Sequence, residues 1–291
     1  MQREKMTGTI RTPRMAATAA FMAAAAVSAG LAADPPRTLV ICSPGSPGNT
    51  LQAEQTMEVF AETVAAAAGR PADSLTAVYH ETAEAGLAHL AKDDAALAMV
   101  PLPFLVRYGS ELSLKPRLEA IQADGRLQTW SLVAKKGSVA SPAALAGWEI
   151  TGAPGYSEAF VRGVMLAGWG RLPADAKITF NARPLGALRR AATGEKVAVM
   201  LDRAGTTSLA TLPFAADLEV VAESKPLPGG FLCTVGNRMP AAEADKLVAS
   251  MEHMHERPGV PDVLKMMTLT RFAPVDQKAL DQVLRSAAAS K

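Results

Sequence analysis

Two short stretches place hydroxyls and backbone N–H groups where a helix is about to begin. Residues 43–49 read Ser-Pro-Gly-Ser-Pro-Gly-Asn after an apolar run, and Gly155-Tyr156-Ser157 stands ahead of Glu158. A helix N-terminus carries about half a positive charge and up to four unpaired N–H donors, so each stretch suits a small oxyanion or carboxylate without any arginine. Ser43, Gly45, Ser46 and Asn49 are the candidate ligand residues of the first, and Gly155, Tyr156 and Ser157 those of the second. Each could equally be a helix-capping turn; their recurrence in equivalent places favours a site. Asp202 ends the apolar run 197–201 and is followed by Arg203, Gly205 and Thr206. A carboxylate there could take an ammonium group on the ligand, or cap a helix starting near Thr206. Tyr79 ends another strand-like run, where an aromatic ring could wall a ligand. Leu102 sits in a Pro-Leu-Pro-Phe segment that could present N–H groups and Phe104 to the same cleft.

Other residue types raise competing chemistries. Gly155-Tyr156-Ser157-Glu158-Ala159 is one residue short of the G-x-S-x-G nucleophile turn, and Ser157, Asp202 and His253 follow in the order of a hydrolase triad. Against that, position 159 is Ala, Pro154 interrupts the approaching strand, and no His-Gly oxyanion motif lies upstream. Met251 and His255 share a helix face and are weak copper candidates, whereas His253 points elsewhere. No H-E-x-x-H or C-x-x-C spacing supports another metal, and no cofactor is expected. Cys42 and Cys233 could form a disulfide in an oxidising compartment, or remain two buried thiols.

The elements that must position these residues follow from composition and periodicity. The 291 residues are 49% hydrophobic and 20% charged, enough for one large core or two modest ones. Four of the basic residues fall in the first 33, so the remainder is near neutral, and without a Lys/Arg block nucleic acid is excluded as a partner. Residues 1–14 are basic, 15–27 apolar and 28–33 small. That is the pattern of a cleaved secretory signal, and the product is expected in a periplasm. Strands are expected at 38–42, 75–79 and 95–100, with helices between them. After a long strand-like segment at 127–134, a second series has strands at 148–152, 177–180 and 196–201 with helices at 158–167 and 185–192. Two further strands, 218–222 and 231–235, precede a helical tail at 241–288. Apolar strands alternating with amphipathic helices mean two α/β lobes, each a mostly parallel sheet flanked by helices. The crossings between lobes are expected at 135–141 and 224–230.

This order of elements resembles the phosphate/phosphonate-type periplasmic solute-binding proteins of ABC transporters, which have the type 2 periplasmic-binding-protein fold. The stretches that carry the likeness are AKDDAALAMVPLPFL at 91–105, SLVAKKGSVASPAALAGWEITGAPGYSEAF at 131–160, AATGEKVAVMLDRA at 191–204 and TRFAPVDQKALDQV at 270–283. Where phosphonate binders of the family carry a hydroxyl-rich Ser-Thr-Ser-Gly turn, this chain has Pro154-Gly155-Tyr156-Ser157-Glu158. The resemblance implies a non-enzymatic, monomeric protein with a signal at 1–33, one lobe from 34–132 plus 229–291 and the other from 133–228. A small phosphate- or phosphonate-like anion would sit between the lobes, which would then meet a membrane permease. An extracytoplasmic sensor or accessory binder would use the same motion with a different partner.

Overall fold

The computed structural model describes residues 36–46, 49–123, 125 and 127–290. The expected export signal lies outside the described residues, as do Pro47 and Gly48 of the first loop. Among the described residues no helix is long and apolar enough to cross a membrane.

The chain opens with β1 (Arg37–Cys42), α1 (Thr50–Ala67), β2 (Leu75–His80), α2 (Ala83–Leu90) and β3 (Ala95–Pro101). β1 and β3 are apolar on consecutive positions because both of their faces are covered. α1 buries Met57, Phe60, Ala61 and Val64, the stripe that a 3.6-residue period brings to one face. Next come α3 (Leu102–Tyr108), β4 (Leu114–Gln122), β5 (Leu127–Gln128), β6 (Trp130–Lys135), β7 (Glu149–Gly152), α4 (Glu158–Phe160), β8 (Lys177–Phe180), α5 (Leu185–Thr193) and β9 (Val197–Asp202). The last elements are α6 (Arg203–Ser208), β10 (Leu218–Glu223), β11 (Leu227–Pro228), β12 (Gly230–Val235), α7 (Ala241–His253), α8 (Val260–Met266), β13 (Leu269–Pro274) and α9 (Gln277–Ala288).

Two sheets result, in the orders β13-β4-β12-β3-β1-β2 and β10-β6-β9-β7-β8. β1, β2 and β3 run parallel, as do β7, β8 and β9. β12 is inserted antiparallel between β3 and β4, and β6 antiparallel between β9 and β10. Each sheet therefore keeps most strands in one direction and receives one reversed strand from a segment arriving from the other sheet.

The first crossing differs from expectation. The segment 127–134 is two strands: β5 pairs with β11 outside both sheets, and after Thr129 β6 enters the second sheet. The passage between sheets is thus at 123–129, and 135–141 is the turn that follows β6. The break leaves no mark in the sequence because both halves are extended and no Gly or Pro separates them. The second passage runs through β11, between Glu223 and Gly230. The tail is also not wholly helical, since β13 pairs antiparallel with β4 at the sheet edge.

Val197, Val199 and Leu201 of β9 pack with Leu188 and Ala191 of α5, while Ala198 and Met200 turn to the opposite face with Phe160 and Leu166. That is the period-2 alternation of a strand covered on both sides. Leu39 and Ile41 join Phe60, Leu247 and Phe272 under α1 and α7, and a third cluster runs from Val40 and Phe104 to Leu132 and Phe160. The lobes thus share a continuous apolar seam. α9 reaches across it, where the Ser290 hydroxyl donates to the Ala159 carbonyl at 3.3 Å.

Candidate functional site

A crevice of about 160 Å³ lies where the two sheets face each other. From the first sheet it is lined by Ser43, Gly45 and Ser46 after β1 and by Leu102 at the start of α3. Ala153, Pro154, Tyr156 and Asp202 line it from the second. Six of the expected ligand residues therefore converge: Ser43, Gly45, Ser46, Leu102, Tyr156 and Asp202. The approach is close, because a Cβ on Gly45 would stand 2.8 Å from the Ala153 Cβ. Gly45 has φ +85°, a left-handed conformation that suits glycine. Beside this contact Tyr108 of α3 stacks on Tyr156 at 6.5 Å and 8°, and Tyr156 meets Phe180 edge-on at 6.0 Å. Burial, followed by Cys42 and Tyr108, pushes the Tyr156 phenol well above its usual value, so it stays neutral.

The remaining expected residues lie elsewhere. Asn49 and Tyr79 line a second, larger cavity of about 380 Å³ within the first lobe. Gly155 packs against the Thr179 carbonyl, which a Cβ would strike. Ser157 is fully buried and its hydroxyl has no hydrogen-bond partner among the described residues. The Thr206 hydroxyl donates to the Asp202 carbonyl at 2.8 Å. Asp202 is both a crevice residue and a helix cap, its Oδ1 accepting the Gly205 N–H at 2.7 Å.

The expectation of free amides at the first loop is corrected. Ser43 N–H donates to the His80 carbonyl at 3.0 Å, Gly45 N–H to the Glu81 carbonyl at 3.4 Å and Ser46 N–H to the Ser43 carbonyl at 3.1 Å. At the tip of α1, Asn49 Oδ1 accepts the Gln52 N–H and Glu81 accepts both N–H and O–H of Thr50. These bonds hold the Glu81 carboxyl below the usual range, its own backbone N–H contributing most. An anionic side chain thus already satisfies part of the α1 tip, because that end carries partial positive charge. What the loop offers the crevice is hydroxyl chemistry. Ser43 Oγ and Ser46 Oγ lie 2.7 Å apart, and one hydrogen between them leaves the other free to donate.

Residues that carried no motif complete the crevice: Gln122, Gln128, Trp130, Pro228 and Gly229. All belong to the ends of the passages between sheets. The Gly229 position had one local signal, the Pro-Gly-Gly run at 228–230, and a Cβ there would come within 3.2 Å of the Gln128 side chain.

The competing chemistries are not assembled. Asp202 caps α6, and His253 pairs with Glu256 at 3.2 Å instead of reaching Ser157. Met251 is buried in the core under α7, and the His255 ring contacts the Glu252 carbonyl, so the two do not form a metal site. Among the described residues no group of three or more His, Cys, Asp or Glu could hold a metal. Cys42 and Cys233 are free buried thiols. β3 runs between their strands: Cys233 stands opposite Ala98, and Ala98 opposite Val40. Two strand spacings of about 4.8 Å exceed the reach of a disulfide. Burial, with Glu84 adding, pushes the Cys42 thiol up to about 12.

No family model matches the sequence, and no curated protein matches it. Solved structures do. XAC2383 from Xanthomonas citri, determined with bound ATP, superimposes with a TM-score of 0.65 at 14% identity, covering 88% of this chain and 98% of its own. A binding protein component of an ABC phosphonate transporter from Pseudomonas aeruginosa gives 0.60 at 17% identity over 89% and 90%. PhnD1 from Prochlorococcus marinus, in complex with methylphosphonate, gives 0.60 at 12% identity over 87% and 98%. The chain has the type 2 periplasmic-binding-protein fold, with two α/β lobes.

Proposed function

We propose that the protein is a solute-binding protein that captures a small oxyanion-bearing ligand, phosphate- or phosphonate-like, between its lobes and delivers it to an ABC-type permease. The observation that carries the reading is convergence: loops following β1 and β7, the start of α3 and both passages between sheets line one crevice. The Ser43–Ser46 hydroxyl pair and the side chains of Gln122 and Gln128 supply its hydrogen bonds, and Tyr156 supplies a rigid wall. Asp202 at the rim disfavours a bare dianion and favours a ligand that carries an ammonium group beside its oxyanion. In this reading β5 and β11 are the hinge, and the lobes meet there. The lobe boundaries, export by residues 1–33 into the periplasm and a monomeric state belong to the same proposal. It is one of binding, with no chemical step.

Thermal unfolding with phosphate, methylphosphonate, 2-aminoethylphosphonate, methanesulfonate, acetate and Cu(I) tests it. A ligand at 100 times its Kd stabilises by about 2.7 kcal/mol, and about 2–4 °C accompanies each kcal/mol in a protein of this size. A shift of roughly 5–10 °C with at least one oxyanion is expected. No shift with any oxyanion, or a shift with Cu(I) alone, overturns the reading.

A further inference from the structure

The crevice accounts for less than half of the enclosed space at this site. At about 160 Å³ it falls below the roughly 300–1,000 Å³ typical of small-molecule sites. The first-lobe cavity, at about 380 Å³, lies within that range. The two adjoin, because Ser43, Ser46, Pro101, Gln122 and Gly229 line both. Those shared residues supply hydroxyl and amide groups and form the throat. Beyond it apolar walls come from Ala53 and Met57 of α1, Met99 of β3, and Met266 and Met267 at the end of α8, beside the polar side chains of Asn49, Gln52 and Thr56 on the α1 side.

One polar group of the inner compartment is left unsatisfied by the fold. The Tyr79 hydroxyl is buried and has no hydrogen-bond partner among the described residues, and the residue itself is 9% exposed. Leaving such a group unsatisfied costs about 1–3 kcal/mol. Thr268, which also lines the compartment, has φ +58° because it is the left-handed residue that ends α8, its N–H donating to the Lys265 carbonyl at 2.9 Å. An orphaned buried polar group calls for a partner that the fold itself does not supply, and a bound ligand is one. Methionine walls suit an irregular apolar occupant because the unbranched thioether adapts its shape.

We infer that crevice and compartment form one bipartite site whose ligand is an amphiphile. Its oxyanion head lies between the lobes, and an alkyl chain or aromatic ring passes the Ser43–Gln122 throat into the first lobe beneath α1 and α8. The inference rests on the oxyanion reading above and narrows it from a bare phosphate or methylphosphonate to an anion bearing an apolar body.

The test is calorimetric titration of the protein with methyl-, propyl-, hexyl- and phenylphosphonate, in the natural sequence and in Ala53→Trp. Ala53 is half-buried on α1, so the indole fills the compartment without entering the crevice. In the natural sequence affinity should rise about four-fold per added methylene through the hexyl member, the increment for transferring a methylene out of water. In Ala53→Trp, whose folding is checked by its unfolding midpoint, the gain should vanish while methylphosphonate affinity stays within two-fold. If methylphosphonate binds and the series is flat in the natural sequence, the bipartite site is refuted and the crevice reading survives. If the series rises equally in Ala53→Trp, the chain lies elsewhere and the inference also fails. If no member binds, both readings fall.

Discussion

Gly45 permits a sharp test of whether the lobes close on one another at the first loop. Gly45→Ala makes two changes. It puts a side chain at φ +85°, and it sets a Cβ 2.8 Å from the Ala153 Cβ of the opposite lobe. The left-handed backbone alone costs about 1–2 kcal/mol for a residue other than glycine. The clash is an overpacking of about 1–3 kcal/mol, felt only while the lobes are together. Gly69, just past the end of α1, isolates the first effect: its φ is +66° and a Cβ there would meet nothing within 4 Å. Both variants should therefore unfold about 2–8 °C lower than the natural sequence. Gly45→Ala alone should also shift the lobe equilibrium toward the open form by about 5- to 150-fold, the factor that 1–3 kcal/mol represents. Small-angle scattering should then show a larger radius of gyration for Gly45→Ala than for Gly69→Ala, and methylphosphonate titration a correspondingly weaker affinity. Equal radii and equal affinities in the two variants would refute closure at this contact.

Asp202→Asn separates the two roles of that side chain. Asparagine caps helices as well as aspartate does, so α6 should keep its Gly205 bond and stability should change by less than about 0.5 kcal/mol. A carboxylate about 8 Å from an anion opposes it by roughly 1 kcal/mol at intermediate dielectric, so methylphosphonate affinity should rise about five-fold; an unchanged or weaker affinity rejects the rim position of the charge. His80 and His89 share one hydrogen bond at 3.1 Å, and both imidazoles are held below their ordinary value. Burial is the main cause in each; Lys92 adds to it, while Glu81 opposes at His80 and Asp94 at His89. Groups with a lowered folded value bind fewer protons folded than unfolded. Their stabilisation is thus whole above about pH 6.5, the unfolded value, and is lost as pH falls through the folded values. Urea midpoints taken from pH 7.5 to 5 should drop more steeply for the natural sequence than for the His80→Gln, His89→Gln double variant, and parallel slopes would contradict the assignment.

What the sequence made legible were the elements whose cause is local. The α1 stripe, the Asn49 cap and the apolar strands β1, β3 and β9 each follow from spacing alone. Features set by residues far apart in the chain could not be read this way. Glu81 claims the α1 tip from 31 positions away, which no pattern at 49–52 announces. The loop amides of Ser43 and Gly45 go to carbonyls at the end of β2 because β1 and β2 pair in register. Likewise β5 separates from β6 only because β11 is there to pair with it. Gln122, Gln128 and Gly229 are ordinary polar residues until the passages bring them together at the crevice.

Those passages would also, in the proposed reading, make ligand contact and lobe movement share the same residues. β6 and β12 each arrive from the other lobe and run against both of their neighbours. The segments that feed them, β5 and β11, must therefore lie side by side at the sheet ends, where open α/β sheets leave their crevice. Gln128 and Gly229 are consequently at once beside the proposed hinge and on the crevice wall. In the proposed reading, a ligand bonded to Gln122, Gln128 and the Ser43–Ser46 pair would touch the hinge and one lobe directly. It would stabilise closure by the free energy of the contacts that exist only when Tyr156 and Asp202 complete the wall. Filling the first-lobe compartment would add affinity in open and closed forms alike, because its walls come from the first lobe and the passage residues Gly229 and Gly230. The apolar body of a ligand would then set how tightly it binds, and its polar head how far it closes the protein.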